Sequence, residues 1–401
     1  MTSRPALAPA RSVDDHRQRI EALLRPLAER ETERVPMAAA LGRRLAEEVY
    51  APLDLPVFRN SAMDGYAVRA DSVATVPVTL PLAGVVAAGN AGLHPLPPGS
   101  AVKIMTGAPI PPGADCVVPV EDTHGDGATV TIEKTRVAGD FVREPGTDVR
   151  AGDLLVAATT VVAPRHVAAL AAVGFGDLPV TRRVRAAVLT TGDELVPAGS
   201  ALAPGQIYNS NGIALAAALT DNGVEVLSVA HSTDDPEEFR RALTAAVATA
   251  DVVFTSGGVS KGDFEVVKDV LATLGGEFGS VAVQPGGPQG LTVIDGVPVL
   301  SFPGNPVSTM VSFEVFARPI LRWLAGLPEV ATAELELVDP VRSPAGRRQF
   351  LRGRVADKSV ALVAGPGSHL IATMANADVL IDIPAETTEL PAGSMVRVRW
   401  L

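Results

Sequence analysis

The segment Ser256-Gly-Gly-Val-Ser260 has the composition of a turn that binds an anion. It follows a strand-like apolar run at 250–255 and precedes a helix-like pattern, so its small residues let the backbone approach a ligand closely. Free N–H groups at such a turn, and about half a positive charge at the helix end, favour phosphate or another oxyanion. Because Pro303-Gly-Asn-Pro306 also precedes a helical pattern, the sequence predicts a site that handles phosphate groups.

Several acidic residues lie near predicted strand ends and turns. They are Asp64 before Gly65, Glu194 in Thr190-Thr-Gly-Asp-Glu194, Asp234 and Asp235 before Pro236, and Asp263 and Glu265 after Ser260. Each also has an ordinary structural interpretation, because Asp-Gly favours a turn, Asp before Pro caps a helix, and a first-turn acid stabilises the helix dipole. Thr106 can likewise cap a turn or contact a ligand. Acids beside phosphate-binding turns repel the ligand, so the pattern predicts a bridging Mg²⁺.

The composition argues against several classes of protein. A chain of 401 residues is too long for one core, and its formal charge of −11, without a basic block, argues against nucleic-acid binding. No charge-free apolar run approaches the length of a membrane span, and the N-terminus lacks the apolar core of a secretory signal. Cys116 is the only cysteine, which excludes an intramolecular disulfide and a cysteine-built zinc site. We expect a cytoplasmic protein that binds neither nucleic acid nor a membrane.

From residue 182 the sequence alternates between apolar strand patterns and helical patterns. The predicted strands are 185–189, 224–229, 252–255 and short strands near Val281 and Val299, and the predicted helices are 211–220, 236–247, 264–274 and 307–324. This alternation is typical of a parallel, doubly wound α/β sheet, in which ligands bind beyond the carboxyl ends of the strands. Both turns, Glu194 and Asp234 fall at those ends.

The flanking segments have other patterns. Ser12 is a candidate cap for a helix that ends near Leu24, a second helical pattern covers 37–49, and a helix is expected after Pro164. Residues 76–133 and those after Leu327 are β-like, with Pro and Gly turns. We therefore predict a helical and linker domain at 1–50 and 144–181, an inserted β domain at 51–143, an α/β domain at 182–328 and a C-terminal β domain at 329–401.

Five blocks resemble the signature blocks of the molybdopterin molybdenumtransferase family, the MoeA family, to which the gephyrin E domain is related. They are Asn60-Ser-Ala-Met-Asp-Gly-Tyr66, Ile104-Met-Thr-Gly-Ala108, Thr191-Gly-Asp-Glu-Leu195, Ser256-Gly-Gly-Val-Ser260 and Pro303-Gly-Asn-Pro-Val-Ser308, in the family's order. The resemblance implies a homodimer with a molybdopterin-binding α/β domain and a β-barrel-like C-terminal domain. It also implies Mg²⁺-dependent insertion of molybdate into adenylylated molybdopterin, with cleavage of a phosphoanhydride and release of AMP.

The resemblance further implies roles for individual residues. The catalytic group would be Asp64, Thr106, Asp148, Glu194 and Asp234, of which Asp64, Glu194 and Asp234 would bind Mg²⁺. Substrate-binding positions would be Ser256, Gly257, Gly258, Ser260, Asp263, Glu265, Pro303, Gly304, Asn305, Pro306, Arg347 and Ser368. In a dimer, Asp64, Thr106 and Asp148 would face the α/β domain of the partner. Hand-over contacts to molybdopterin adenylyltransferase or to molybdoenzymes are also implied.

One segment departs from the family's pattern. Gln284-Pro-Gly-Gly-Pro288 stands where the family usually has Lys-Pro-Gly-Lys-Pro, and Glu265 stands where it usually has Asp. Since a hydrogen bond to a charged group contributes roughly 1.5–3 kcal/mol, losing both lysines predicts anion affinity weaker by roughly two to four powers of ten. Arg347, Arg352 or Lys261 could supply the missing charge. Two alternatives stay open: a paralogue that binds the pterin nucleotide or a protein partner without turnover, and an enzyme that uses tungstate.

Overall fold

The computed structural model describes residues 10–89, 94–260 and 265–401. The chain divides into two compact units. The larger unit comprises the described residues of Met1–Glu33, Gly42–Arg44 and Thr181–Leu401, and the smaller unit those of Arg34–Leu41 and Leu45–Val180. The domain boundaries given above remain predictions. In the described part of the chain, no helix is long and apolar enough to cross a bilayer.

The larger unit begins with helix α1, Val13–Leu24, which confirms the helix predicted after Ser12. The Ser12 hydroxyl accepts a hydrogen bond from the Asp15 N–H at 3.0 Å. This bond satisfies one of the donors that the first turn of a helix leaves without a partner. The residues buried on one face of α1 recur at helical spacing: Val13, His16, Ile20 and Leu24.

Six strands of the described chain form the central sheet of the larger unit. In chain order they are β1 Arg185–Thr191, β2 Glu225–Ser232, β3 Val252–Ser256, β4 Glu277–Ser280, β5 Pro288–Ile294 and β6 Val297–Phe302. Their order across the sheet is β2-β1-β3-β6-β5-β4. Strands β2, β1, β3 and β6 are parallel, so their carboxyl ends lie at one edge of the sheet, as predicted.

The remaining two strands run antiparallel to their neighbours, which the predicted parallel sheet did not include. Strands β5 and β6 form a hairpin around Asp295-Gly296, whose φ angles are 50° and 84°. Positive φ at both central residues is what a type I′ turn requires, and Asp-Gly between two apolar runs is the strongest short hairpin signal. The signal was therefore present in the sequence, and the prediction from alternating patterns did not use it.

Helices cover both faces of this sheet, which confirms the doubly wound α/β fold. They are α2 Ser210–Asp221, α3 Pro236–Val247, α4 Val266–Thr273, α5 Pro306–Ser312 and α6 Arg318–Ala325. Helices α1, α2, α5 and α6 share one apolar core with the sheet, and α3 and α4 share another. A π-helical turn, Phe313–Ala317, joins α5 to α6, and Gly326 ends α6 with a φ of 73°. The four predicted helices are thus confirmed, with small changes at their ends.

The C-terminal part of the larger unit is a closed sheet. Within the described residues the five strands of the ring are β7 Thr332–Leu337, β8 Arg348–Ala356, β9 Ser359–Leu362, β10 Val379–Ile383 and β11 Met395–Trp400. A sixth, short strand, Val283–Gln284, pairs with β8. Strand β8 pairs with both β9 and β10, which closes the ring. The inward side chains form a separate apolar core. The predicted barrel-like C-terminal region is therefore confirmed.

The smaller unit contains a second sheet and a short helix. The described strands of this sheet, in order across it, are Cys116–Pro119, Gly65–Val68, Ala101–Ile104, Val78–Val86, Thr129–Ile132 and Thr123–Gly125. The helix is Pro164–Ala172. Shorter strand pairs join Val49–Tyr50 with Leu154–Val156, and Asn60–Ser61 with Val142–Arg143. The β-rich character predicted for 76–133 and the helix expected after Pro164 are both confirmed.

The second N-terminal helix, predicted over 37–49, is wrong. Only a 3-10 turn forms, Met37–Ala39, and the chain then runs through a turn, two bridge residues and a bend to the strand Val49–Tyr50. Leu45 is fully buried in an apolar core of the smaller unit and makes an antiparallel bridge with Val180. Burial of a leucine contributes roughly 1.5–3 kcal/mol, which outweighs the small helical preferences of the residues around it.

Candidate active site

A cleft in the larger unit lies at the carboxyl edge of the parallel strands. Its volume of about 450 Å³ is typical of a site for a small organic ligand. The segments that follow β1, β2, β3 and β6 line it, together with the start of α2. The predicted site residues in its lining are Glu194, Asp234, Ser256, Gly257, Gly258, Ser260, Glu265, Gly304, Asn305 and Pro306. The fold therefore brings most of the site residues predicted in the α/β region to one place.

The turn after β3 approaches its neighbours too closely to carry side chains at two positions. Gly257 has a φ of 104°, and a Cβ there would lie 2.8 Å from the carbonyl oxygen of Thr191. Gly258 has a φ of 62°, and a Cβ there would lie 2.9 Å from the backbone nitrogen of Val267. Both the positive φ and the missing space require glycine. Without side chains at these two positions, the backbone of the turn is accessible to a ligand in the cleft.

Asn211, at the start of α2, links the two turns of the cleft. Its side-chain Nδ2 donates to Ser256 Oγ at 3.0 Å and to the Gly304 carbonyl oxygen at 2.7 Å. Ser256 Oγ in turn donates to the Pro303 carbonyl oxygen at 3.3 Å, and Thr309 Oγ1 donates to the same oxygen at 2.6 Å. The two turns are thus held in one hydrogen-bonded frame.

The sequence-based predictions omitted the residues at the start of α2. Asn209 Oδ1 caps this helix by accepting the Gly212 N–H at 3.1 Å, and Asn209 Nδ2 donates to Thr190 Oγ1 at 2.7 Å. Asn209, Ser210 and Asn211 all line the cleft, so the positive end of α2 is available to an anion there. The available signal was Asn209-Ser-Asn211 directly before an apolar helical pattern, since asparagine is a preferred helix cap.

Carboxylates cluster at the rim of the cleft. The pKa of the Asp234 carboxyl is raised by its partial burial and by the negative charges of Asp193, Glu194 and Glu265. Asp193 Oδ1 accepts the Asp234 N–H at 3.0 Å, and Glu265 Oε2 accepts the Ser260 N–H at 2.6 Å. The four acids therefore lie near enough to repel one another. A cation bound among them would relieve that repulsion.

This cluster fits Mg²⁺ as part of a ligand set. Among the described residues, no three His, Cys, Asp or Glu side chains are arranged to hold a metal ion by themselves. Mg²⁺ usually takes one or two carboxylates and completes its octahedron with waters and substrate phosphate oxygens. Glu194 and Asp234 suit that arrangement, because they line the same cleft as both turns.

The other three predicted catalytic residues lie in the smaller unit. Asp64 Oδ1 accepts hydrogen bonds from the Thr106 N–H at 2.6 Å and from Thr106 Oγ1 at 2.7 Å. These two bonds, the backbone one first, lower the pKa of the exposed Asp64 carboxyl and keep it ionised. Asp148 is exposed in a different turn, where its N–H donates to the Leu55 carbonyl at 2.9 Å. The structure thus brings Asp64 and Thr106 into direct contact.

The positions that lack the family's lysines carry no replacement charge. Gln284 Oε1 accepts a hydrogen bond from Gln349 Nε2 at 2.6 Å, so this side chain is engaged with the barrel strand β8. Gly287 has ordinary free space, because a Cβ there would lie 3.5 Å from Ser280 Oγ. Arg347 is exposed in the turn before β8 and does not line the cleft.

Arg352, on the barrel strand β8, is a buried cation. It is fully buried, donates to the Gly365 carbonyl, and has a pKa lowered by burial. The Ser368 carbonyl accepts the Val307 N–H at 3.0 Å, which attaches the same loop to the first turn of α5. Predicted residues Lys261 and Asp263 lie outside the described residues.

Three family models match the chain. The MoeA N-terminal region (domain I and II) matches residues 11–174, and the MoeA C-terminal region (domain IV) matches residues 334–401. Between them, the model described as a probable molybdopterin binding domain matches residues 187–323. The range 187–323 contains every residue that lines the cleft.

Known relatives match over nearly the whole chain. Molybdopterin molybdenumtransferase 2 of Mycobacterium tuberculosis is 42% identical, over 97% of this chain and 99% of the relative. The molybdopterin molybdenumtransferase of a Nostoc species is 36% identical, over 93% and 90%. A crystal structure of a molybdopterin biosynthesis MoeA protein from Pyrococcus horikoshii superposes with a TM-score of 0.82 at 32% identity, covering 98% of this chain and 99% of that one. The chain therefore belongs to the MoeA family, the molybdopterin molybdenumtransferases.

Proposed function

We propose that this enzyme of molybdenum cofactor biosynthesis transfers molybdenum from molybdate to adenylylated molybdopterin and releases AMP. The main support is the cleft, which combines two glycine-containing turns and a helix N-terminus with Glu194 and Asp234. Such a lining suits a phosphoanhydride, whose charged oxygens need N–H donors on one side and a cation on the other. The relatives named molybdopterin molybdenumtransferases support the same reaction. Its substrate would come from an adenylylating enzyme, and its product would pass to molybdoenzymes.

Within this proposal the chain's own groups bind and orient the anhydride. The N–H groups of the Ser256 turn and of the start of α2 would hold phosphate oxygens, and Asn211 keeps that turn in register with Gly304. Glu194 and Asp234 would bind Mg²⁺ together with the phosphates. When bound, Mg²⁺ supplies Lewis-acid polarisation of a phosphoryl oxygen and neutralises charge on the departing AMP.

We also propose a homodimer, in which Asp64, Thr106 and Asp148 act on the substrate bound by the partner. An exposed apolar surface on the larger unit supports association between copies. It comprises exposed Ile207, Tyr208, Ile213, Leu227 and Val229. Leu227 and Val229 belong to β2, the edge strand of the sheet, and alternate along it on one face. Exposed apolar residues on an edge strand favour pairing with another chain.

The direct test is AMP release by the purified protein from adenylylated molybdopterin, with and without molybdate and Mg²⁺. We expect release that requires both additions, because the carboxylates of the cleft repel the substrate without a cation. Saturable binding of the nucleotide without any release would instead support the binding paralogue. The uncharged Gln284, bonded to Gln349, is the observation that favours this second candidate. Replacing molybdate by tungstate in the same assay tests the choice of oxyanion.

A variant of Asp64 tests the role of the smaller unit. We expect Asp64→Ala to lose AMP release by at least about a hundredfold, the usual contribution of a positioned charged group, with its fold retained. Asp126→Ala is a matched control, because Asp126 is also an exposed acid whose carboxylate accepts backbone N–H bonds in the same unit. Full activity in Asp64→Ala, measured beside Asp126→Ala, would remove Asp64 from the mechanism.

A further inference from the structure

A second cavity lies in the larger unit and shares no lining residue with the cleft. Its volume is about 380 Å³, and α1, α6, the segment after α6 and strands β7 and β11 form its walls. We name it the arginine pocket after its four guanidinium groups, which lie around an apolar floor. Its main residues are Arg17, Arg25, Arg397, Arg399, Ile320 and Trp323. A cavity of this volume lies in the range of small-molecule sites.

The arginine pocket is positive in a chain that is strongly negative. Its lining holds four arginines and two glutamates, Glu21 and Glu329, an excess of two positive charges, while the whole chain has a formal charge of −11. Arg25 pairs with Glu21, and Arg17 pairs with Asp14 at 3.2 Å, outside the pocket. The other two arginines of the lining, Arg397 and Arg399, belong to the barrel strand β11.

Arg397 and Arg399 lie on the outer face of β11. Val396 and Val398 alternate with them and are buried in the barrel, so both guanidinium groups project from the opposite face. Among the described residues, neither arginine forms an ion pair with a carboxylate. Arg399 Nη1 reaches only the Glu314 carbonyl, at 3.4 Å, and its Nε is buried without a hydrogen-bond partner.

The acids around this pair form no ion pair with it among the described residues. Exposed Glu334 of β7 lies directly opposite Arg397 in the sheet. Glu314 is buried and bonds to Arg318 at 2.5 Å, and Asp382 is held by Arg348 at 2.6 Å. Burial lowers the pKa of Arg399, and the charges of Asp382 and Glu314 only partly oppose this effect. A half-buried guanidinium without an anionic partner is unfavourable, and an anion from outside the chain would relieve this cost at Arg399.

The floor of the arginine pocket is a flat, apolar surface built around Trp323. Trp323 is 46% exposed, and the Arg25 guanidinium lies 5.0 Å from the centre of its ring. Ile320 and Phe316 continue the apolar surface. Aromatic rings stack on such a surface, and guanidinium planes add to the attraction.

We infer that the arginine pocket binds a small organic phosphate, a phosphate monoester on a flat aromatic body. Two residues apart on a strand, Arg397 and Arg399 are about 7 Å from each other along the backbone, a spacing at which two long side chains can hold one tetrahedral dianion. The aromatic body would lie against Trp323. This site is separate from the cleft and independent of the reaction proposed there.

The test uses Trp323 as a local reporter. The chain has two tryptophans, and Trp400 does not line the arginine pocket, so Trp400→Phe leaves one signal, inside the site. Phenyl phosphate is the probe, and inorganic phosphate and benzyl alcohol each supply one half of its chemistry. We expect a saturable change in fluorescence with phenyl phosphate, at a concentration about tenfold lower than with inorganic phosphate. Benzyl alcohol should produce no saturable change.

Three further variants, each made in the Trp400→Phe protein, should change the affinity for phenyl phosphate in different directions. Arg397→Gln should weaken phenyl phosphate binding about tenfold or more, because a charged hydrogen bond is lost. Glu329→Gln should tighten it about two- to fivefold, because an exposed negative charge at the rim is removed. Arg342→Gln should change nothing, since Arg342 is an exposed arginine of the same region that does not line the pocket.

The inference fails if Trp323 shows no saturable response to phenyl phosphate, or if inorganic phosphate binds equally well. It also fails if Glu329→Gln leaves the affinity unchanged or lowers it. Because Glu329 is exposed and has no ion pair among the described residues, this variant tests the idea even if Arg397→Gln does not fold.

Discussion

At the scale of the residue, one amide group donates to both turns of the cleft. Asn211 Nδ2 lies 3.0 Å from Ser256 Oγ and 2.7 Å from the Gly304 carbonyl oxygen. We expect Asn211→Ala to weaken binding of adenylylated molybdopterin by roughly ten- to a hundredfold, because two hydrogen bonds of about 0.5–1.5 kcal/mol each are lost and the turns separate. Isothermal titration calorimetry measures the change.

Asn376→Ala is the matched control for Asn211→Ala. Asn376 Oδ1 accepts one exposed hydrogen bond, from Arg354 at 3.3 Å in the barrel, and Asn376 does not line the cleft. Its loss should leave nucleotide affinity within about twofold of the parent. Equal affinities of the two variants would show that the hydrogen-bonded frame does not position the ligand.

Asp234 would give the proposed Mg²⁺ site a pH dependence. Burial and the charges of Asp193, Glu194 and Glu265 raise its pKa above the ordinary 3.8. Since Mg²⁺ would bind the carboxylate form, protons would compete with it, and the affinity for Mg²⁺ should fall as the pH drops through this raised pKa. For folding the sign is opposite: the folded state binds more protons in that window, so this group's contribution to stability falls as pH rises through it.

Asp234→Asn separates these effects. It removes both the repulsion among the acids and the proposed Mg²⁺ ligand. Without Mg²⁺ the variant should therefore melt at the same temperature as the parent, or higher, at neutral pH. We expect Mg²⁺ to raise the melting temperature of the parent, and this rise should be lost in the variant. Asp357→Asn, in the exposed β8–β9 turn with a φ of 53° that asparagine tolerates, is the control. An undiminished Mg²⁺ effect in Asp234→Asn would exclude Asp234 as a ligand.

At the scale of the element, the turn after β3 depends on its approach to α4. A Cβ at Gly258 would lie 2.9 Å from the backbone nitrogen of Val267, whereas a Cβ at Gly199, with a φ of 89°, meets no atom within 4 Å. Both positions carry the strain of a positive φ, and only Gly258 adds a clash. We expect Gly199→Ala to lower the free energy of unfolding by about 1 kcal/mol and Gly258→Ala by at least about 2 kcal/mol.

Urea titration of both variants measures this difference. Gly258→Ala should also lose nucleotide affinity, because the displaced turn no longer presents its N–H groups to the cleft. Similar unfolding curves for the two variants would mean that α4 moves aside without cost.

At the scale of the whole molecule, the edge strand β2 offers a surface for the proposed homodimer. Its exposed Leu227 and Val229 lie on one face, and Val229 packs beside Gly212 of α2. We expect Val229→Glu to raise the dimer dissociation constant about tenfold or more, because it places a charge in an apolar contact. Val293→Glu is the control, since Val293 has the same 47% exposure on β5, away from that edge. Analytical ultracentrifugation measures the dissociation constant of both variants. Equal effects of Val229→Glu and Val293→Glu would argue against β2 as the interface.

Elements stabilised by their own sequence were predictable, and elements stabilised by distant contacts were not. Helix α3 has its bounds as predicted because Asp235 caps it and Pro236 fits its first turn. Residues 37–49 have a helical pattern, yet Leu45 is buried beside Val180 in extended form. The hairpin at Asp295-Gly296 is an intermediate case, because its signal was local and was not used.

The sequence by itself determined the family, the order of the elements around the cleft and the chemistry of its turns. Glycine where the backbone needs a positive φ, and a cap where a helix needs an acceptor, are requirements that neighbouring residues set. Only the tertiary structure decided that Asn211 joins two turns, that burial and three other acids raise the pKa of Asp234, and that Arg397 and Arg399 line one pocket with Trp323. Hydrogen bonds and charge interactions change over a few ångströms, and packing of segments far apart in the chain sets those distances.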